Sequence, residues 1–460
     1  MTSAAEPRSA FSLITKGPFS RLWWASGVSS TGDWITIFAT IGLGNEIAGG
    51  QGVLVAVFSR IVPGLVFGGA VGVLTDRADR RRLIMIADFG RAAVVPTLVF
   101  AGTLPVLVLI TIVSEFLSIL GQSPRAAIIP RLVRNANLVN ANSLILGATY
   151  GTVPVGAGFN WFLSSLPQVP LSFATPETQP FVLAFLTDSL TFLVSGLIVA
   201  TLPVVRTKAA RAIRENGEAA STTREDFIAG ARFLWTARSV RRVIASITAS
   251  LFGGGVIVAV GPQFVRETLS AGTTGFFAVV TALGLGAGLG IGLISLYGTK
   301  LTRRDIVFGF ATLVTSAGLG AAAFTDTVFG ASSWIFVFGV GAGSGYVMGL
   351  THLHEEVDDD MRGRVFAALF GLMRVGLFVS MLVAVPLEAA LATAGVDAAT
   401  RVVLLAGAIV IGLAGFATLW SLRYVLRRPK VDQETRDILA ETTAALRRLT
   451  GMDKKKGDRE

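Results

Sequence analysis

Gly72-Val-Leu-Thr-Asp76-Arg77-Ala-Asp79-Arg80-Arg81-Arg82 is a short, strongly basic stretch set between two apolar runs, Gly52 to Leu74 and Leu83 to Leu104. Each run holds about twenty residues, and a helix rises about 1.5 Å per residue, so each can cross a hydrocarbon layer of about 30 Å. Two crossings joined by such a loop form a membrane hairpin, with the loop on the side where Lys and Arg are retained.

The same alternation continues in both directions along the chain. Apolar spans are expected at Leu22 to Ile47, Gly52 to Leu74, Leu83 to Leu104, Val106 to Gly121, Asn142 to Leu163 and Phe181 to Leu202, then at Val243 to Phe264, Phe276 to Leu296, Ile306 to Phe324, Ser333 to Leu350, Val365 to Leu387 and Val402 to Val425. The predicted class is therefore an all-α membrane protein with twelve transmembrane helices in two six-helix bundles. Of 460 residues 52% are hydrophobic and 15% charged, and the 52 glycines suit close helix contact in lipid, where no hydrophobic force draws helices together.

An even number of spans places both termini on one side. Arg77 to Arg82, Arg125, Arg131, Arg134, the arginines between Arg206 and Arg242, Lys300, Arg303, Arg304, Arg362 and Arg364 all fall in loops of that side, while Arg266 and Arg401 fall on the other. The bias places both termini in the cytoplasm and the chain in the cell (inner) membrane. The net charge of +10 then reflects topology and attraction to an anionic inner leaflet rather than nucleic acid. The expected organisation is an N-terminal cytoplasmic tail over 1–20, a first bundle over 21–205, a cytoplasmic linker over 206–242, a second bundle over 243–427 and a basic tail over 428–460. Met1 to Lys16 lacks the apolar core of a cleavable signal and reads as a tail. In the linker, Thr223-Arg-Glu-Asp226 offers a capping box and Phe227, Ile228, Ala231, Leu234 and Trp235 share a face, which predicts an interfacial helix.

Several function classes lack their chemistry. There is no cysteine, and the two histidines, His352 and His354, are too few for a metal site, so no metal is expected. No phosphate-cradling G-x-x-x-x-G-K-[ST] loop and no Ser/His/Asp set is found, which argues against ATP, a cofactor or enzymatic activity.

The stretch from Gly72 to Arg81, with Gly72, Asp76, Arg77, Arg80 and Arg81 in place, resembles the conformational-switch loop of the major facilitator superfamily, with Asp79 standing where that family has glycine. Because Asp tolerates a left-handed backbone, the turn is expected to survive this change. Ser30-Thr-Gly32-Asp33-Trp34, Ser123 to Val133, Ala141-Asn142-Ser143-Leu144 and Arg362-Gly363-Arg364-Val365-Phe366 resemble the drug and small-molecule exporter branch, which includes macrolide-efflux and siderophore-exporter proteins. The antiporter signature of span five is partial, with Gly151, Pro154, Gly156 and Gly158 present. The resemblance implies two rocking bundles, alternating access, a small-molecule substrate, coupling to protons and a monomer.

Charges inside the spans narrow the site. A charge at the bilayer centre costs at least about 2.5 kcal/mol on insertion scales, so it needs a partner, a wet cavity or a task. Asp88 and Arg91, three apart in span three, are expected to form a structural pair along one helix face. Asp33 in span one and Glu115 in span four are the first candidates for proton coupling, with Asp188 in span six the next. Arg60 is a possible partner of Asp33, and Arg374, the one mid-span charge of the second half, could meet an anionic substrate group. Trp34, Phe185 and Phe370 are candidates to line a substrate cavity. The favoured reading is a secondary, proton-coupled exporter of drug-like or secondary-metabolite molecules; a lipid or lysolipid flippase, a dedicated metabolite carrier and a transport-inactive sensor are the rivals.

Overall fold

The computed structural model describes residues 10–77, 79–134, 137–167, 171–172, 174–203, 238–297, 304–356 and 359–425. For Gly72, Asp76, Arg77, Phe370 and Arg374 the backbone path alone is described. The interfacial helix expected around Thr223 to Trp235 and the tail over 428–460 lie outside the described residues.

The described residues form α1 (Ala10–Thr15), α2 (Pro18–Arg77), α3 (Arg80–Val94), α4 (Leu104–Leu132), α5 (Leu138–Tyr150), α6 (Val153–Ser165), α7 (Val182–Ala200), α8 (Arg238–Gln263), α9 (Thr273–Tyr297), α10 (Arg304–Ala323), α11 (Val328–Glu356), α12 (Asp359–Thr393) and α13 (Ala399–Val425). Among the described residues, ten helical stretches are long and apolar enough to cross a membrane. The helix α2 supplies two crossings rather than one. Its backbone breaks at Ala48 and Gly49, and Gly49 has φ +57° with ψ −142°, a conformation that a side chain would strain. On a straight helix Gly44 and Gly52 would lie about 12 Å apart. Here a Cβ at Gly44 would meet the Gly52 carbonyl carbon at 2.7 Å, so the chain doubles back. The fifth span is broken into α5 and α6 at Gly151, ahead of Pro154, which accounts for the twelfth crossing.

Helix α7 illustrates how a span sorts its faces. Leu186, Leu190, Leu193 and Leu197 recur at helical spacing and are exposed, as side chains facing hydrocarbon would be. On the opposite face Phe185, Asp188, Phe192, Ser195 and Val199 are almost wholly buried. The polar groups therefore turn toward the protein.

The cores reveal how the halves meet. One cluster joins Ile35, Phe38, Phe181 and Phe185 of the first half to Phe264, Phe276, Phe277 and Val385 of the second. Phe181 meets Phe277 edge-on at 6.3 Å, and a Cβ at Gly284 would touch Pro154 Cα at 2.7 Å. Near the Ala48–Gly49 turn Glu46 pairs with Arg266 at 3.8 Å. Toward the other end, which carries Arg80 to Arg82, the cores separate. Leu13, Phe19, Leu22, Ile84, Ile128 and Leu202 pack among themselves, and so do Ile244, Ile247, Phe308, Leu353 and Leu369. Among the described residues the halves are thus joined at the turn end and parted at the basic end.

Candidate functional site

Polar residues on the first arm of α2 follow a heptad-like spacing: Ser26, Ser29, Asp33, Thr36 and Thr40. Three facing helices carry matching stripes, with Asp88 and Arg91 on α3, Ser114, Ser118 and Arg125 on α4, and Asp188, Thr191 and Ser195 on α7. Each stripe lies on one helix face, because residues three or four apart are neighbours. Packed together they form a buried polar seam through the first half.

Nearer the basic end, the seam is organised by Arg125. Its Nη2 donates to both oxygens of Asp88 at 2.6 Å and to Ser195 Oγ at 3.0 Å, while Nη1 donates to Ser29 Oγ at 2.9 Å. Ser195 also donates to Asp88 at 2.8 Å. Asp88 therefore does not pair with Arg91 as the sequence spacing suggested. The local spacing misleads because α4 does not stop at Gly121: it continues through Pro124 to Leu132 and turns Arg125 inward.

At mid-depth, Arg91 forms an ion pair with Asp33, and its guanidinium sits 3.9 Å over the ring of Phe192. The pairing of Asp33 with Arg60 is corrected as well: Arg60 lies 3.6 Å from Glu115, on the second arm of α2 facing α4. Asp188 is fully buried and accepts hydrogen bonds from Thr36 Oγ1 at 2.5 Å and Thr191 Oγ1 at 3.1 Å. Gly32 makes room for it, since a Cβ there would collide with the Asp188 carboxylate and with Thr191. Arg91 lies within electrostatic reach of Asp33, Asp188 and Glu115. Three carboxylates thus face two guanidiniums. The carboxylate of Asp188, held by hydroxyls alone, is the one left over.

The aromatic candidates divide. Trp34 stacks on Phe38 at 5.9 Å and donates its indole N–H to the Thr149 carbonyl at 2.9 Å, bracing α2 against α5. Gly156 permits this approach, because a Cβ there would clash with Trp34. Phe185 is fully buried beside Phe181, within the packed core that joins the two halves. Its apolar character fitted core and cavity equally, and sequence gave no means of separating them.

The basic loop also departs from expectation. Asp79 is extended, with φ −68°, and its carboxylate accepts from the backbone N–H groups of Arg81 at 3.0 Å and Arg82 at 3.4 Å. It is the N-cap of α3, and no left-handed turn is needed. Arg80 donates to the Ala127 carbonyl near the end of α4 at 2.7 Å and Arg81 to the carbonyl of Ala200, the last residue of α7, so both tie the start of α3 to neighbouring spans.

A loop that ties helix ends together, a polar seam through one six-helix half and a second half packed against it are features of a known transporter architecture. The profile of the Major Facilitator Superfamily matches residues 22–379, more than half of the chain. The chain belongs to the major facilitator superfamily. As a member of that superfamily it is a multi-pass integral membrane protein and a transporter by family and fold, which points away from an enzyme. Solved superfamily structures superpose over most of its length. A bacterial homologue of the human lysosomal transporter Spinster, in an inward-facing and unoccupied conformation, matches with a TM-score of 0.66 at 13% identity over 90% of this chain and 98% of that one. The nucleoside transporter NupG gives 0.63 at 13% identity over 89% and 100%, and a D-xylose–proton symporter gives 0.61 at 16% identity over 89% and 96%. At such identities the likeness extends to the fold alone. No curated protein matches the chain in sequence.

Proposed function

We propose that this superfamily member is a proton-coupled exporter of drug-like or secondary-metabolite small molecules, acting as a monomer in the cell membrane with both termini in the cytoplasm. The observation that carries the coupling is the surplus carboxylate of the mid-depth seam. Asp33 has Arg91 and Glu115 has Arg60, but Asp188 has only Thr36 and Thr191. A carboxyl buried without a cation of its own is cheap when protonated and costly as an anion. Asp188 is therefore the favoured proton carrier among Asp33, Glu115 and Asp188. When it loses its proton, the anion competes with Asp33 for Arg91 and draws α3 toward α7. When it gains one, Arg91 returns to Asp33. That exchange between α2, α3 and α7 gives the proton a differential hold on two conformations, which coupling requires.

Direction rests on the resemblance to the exporter branch, and the parting of the halves at the basic end suits loading from the cytoplasm. Asp33, whose side chain is 25% exposed, is then reachable from the open side, with Asp188 behind it. The bundles over 21–205 and 243–427 are the bodies that rock, and the Gly72–Arg81 loop restrains them. Proteoliposomes with an imposed pH gradient and a panel of drugs, metabolites and lysolipids test the reading. Gradient-driven drug efflux that disappears in Asp188→Asn, with substrate binding retained and now insensitive to pH, is the expected result. Movement of lysolipid alone would make the protein a flippase, and silence across the panel a sensor. Wild-type efflux by Asp188→Asn would remove Asp188 from the coupling role.

A further inference from the structure

Glu388, a buried carboxyl of the second half, has no task in the mechanism proposed above. It lies near the end of α12 where the halves join, one turn from Val385 of the shared core, and is 6% exposed although Leu387, Ala389 and Ala390 around it face outward. Where α8 ends at Gln263, a π-helical turn over Phe264–Thr268 follows and carries Glu267. Gln263 Nε2 donates to Glu388 Oε1 at 3.1 Å and to Glu267 Oε1 at 3.0 Å, so two carboxylates share one amide. The other atom of that amide, Oε1, is buried and has no hydrogen-bond partner, a costly state for an acceptor. It lies against the first half: a Cβ on Gly50, beside the Ala48–Gly49 turn, would sit 3.6 Å from it and 3.3 Å from Val385 Cγ1. Gln263 thus stands between an acidic pair of the second half and the chain reversal of the first, at the contact that must part when this end opens. The π-helical turn also supplies Arg266, which pairs with Glu46 of α2, and the segment entering α13 supplies Asp397 and Arg401, whose guanidinium is taken by Asp326. Neither Glu388 nor Glu267 pairs with a cation among the described residues, and Glu267 is the charge within electrostatic reach of Glu388. A cavity of about 460 Å³ adjoins the pair.

We propose that Glu388 is a second proton-binding residue, a latch through which acid on the outer side closes the halves at the Ala48–Gly49 turn. With both carboxyls ionised, like charges repel across one amide, and Gln263 has no donor left for the first half. A proton on Glu388 removes the repulsion and turns an acceptor into a donor. Its O–H then goes to Gln263 Oε1, the amide turns over, and the N–H groups of Gln263 face the backbone at Gly50. Glu267, which is exposed, exchanges its lost bond for water. The proton therefore favours the closed outer end by contacts that the open one lacks. In an export cycle, substrate leaves outward, a proton from outside takes Glu388, and the outer end shuts behind it. This place in the cycle rests on the proposed proton-coupled export, whereas the latch itself needs no substrate.

In this cysteine-free chain, Gln51→Cys and Ala394→Cys place spin labels at exposed positions of the two halves at this end. The full-length protein in nanodiscs, with Asp188→Asn in every sample to silence the seam, is read by pulsed electron resonance from mildly acid to mildly alkaline pH. The ratio of closed to open outer ends should rise as pH falls, by up to about tenfold per pH unit for one coupled proton. Glu388→Gln, neutral at every pH and still a donor to Gln263, should hold the ratio near its acid value, constant within about twofold. Glu267→Gln removes the like charge and should keep the response while moving its midpoint down by about one pH unit, a shift that a merely structural role would not produce. A wild-type response in Glu388→Gln, an unmoved midpoint in Glu267→Gln, or an outer end indifferent to pH while Glu388 and Glu267 are both intact would each overturn the latch. Neither substrate nor gradient enters this readout, so failure of the export reading in proteoliposomes is seen separately.

Discussion

Replacing Arg125 by Gln should be among the most damaging single changes in the first half. Asp88 is 3% exposed, both of its oxygens lie 2.6 Å from Arg125 Nη2, and Ser195 supplies the remaining bond at 2.8 Å. With the guanidinium gone, the carboxylate is left in the protein interior with one hydroxyl. Breaking a buried pair in this way costs about 3–5 kcal/mol, because an uncompensated charge remains. Part of this returns if Asp88 takes up a proton, so about 3 kcal/mol is expected. The double variant Asp88→Asn/Arg125→Gln should recover much of the loss, leaving a coupling energy of about 2 kcal/mol between the two sites, within the range seen for contacting residues. Reversible unfolding in mixed micelles of rising dodecyl sulfate content, followed by tryptophan fluorescence, measures all four corners of the cycle. A single-variant loss below about 1 kcal/mol, or a double variant equal to the sum of the singles, would refute the pairing. So would a stronger coupling of Asp88 to Arg91 than to Arg125.

Other expectations follow from separate contacts. Glu46→Gln should loosen the turn end, but its partner Arg266 is 3.8 Å away and 40% exposed, so such a pair is worth at most about 1 kcal/mol. Spin labels on either side of that end should report a shift toward the opened state of no more than about fivefold; a complete shift would mean that the pair is stronger than its geometry. Asp79→Ala should destabilise the start of α3 by about 1 kcal/mol while Asp79→Ser is tolerated, as measured by the same unfolding assay; equal losses would refute the capping role. Gly32→Val should abolish transport without preventing membrane insertion, because its side chain would enter the Asp188–Thr191 contact. Normal transport by Gly32→Val would show that this contact is dispensable. In this cysteine-free chain, a cysteine at Thr175 should react with an impermeant thiol reagent added outside intact cells and one at Ala219 should not; the reverse pattern would invert the topology.

Much of the architecture is legible in one dimension because lipid imposes its rules locally. A span must be about twenty residues long and satisfy its own backbone, and arginines stay on one side, so the crossings and the break between Ile47 and Gly52 can be read from composition and charge. The identity of the buried charges was legible for the same reason: Asp33, Arg60, Asp88, Arg91, Glu115 and Asp188 stand out as costly residues in apolar runs. Their partners were not legible. Pairing depends on which helix faces meet, and that is settled by helix rotation and by contacts between residues far apart in the chain. Ser195 and Asp88 are 107 positions apart, and Thr36 and Asp188 are 152. Sequence spacing favoured the local partner, Arg91 for Asp88. The folded chain instead gave Asp88 to Arg125 and Arg91 to Asp33, because α4 runs about three turns past its apolar part and carries Arg125 back among the helices. Sequence alone thus determined that these charges must be accommodated within the membrane. Tertiary packing decided which would cancel, and left Asp188 without a cation of its own.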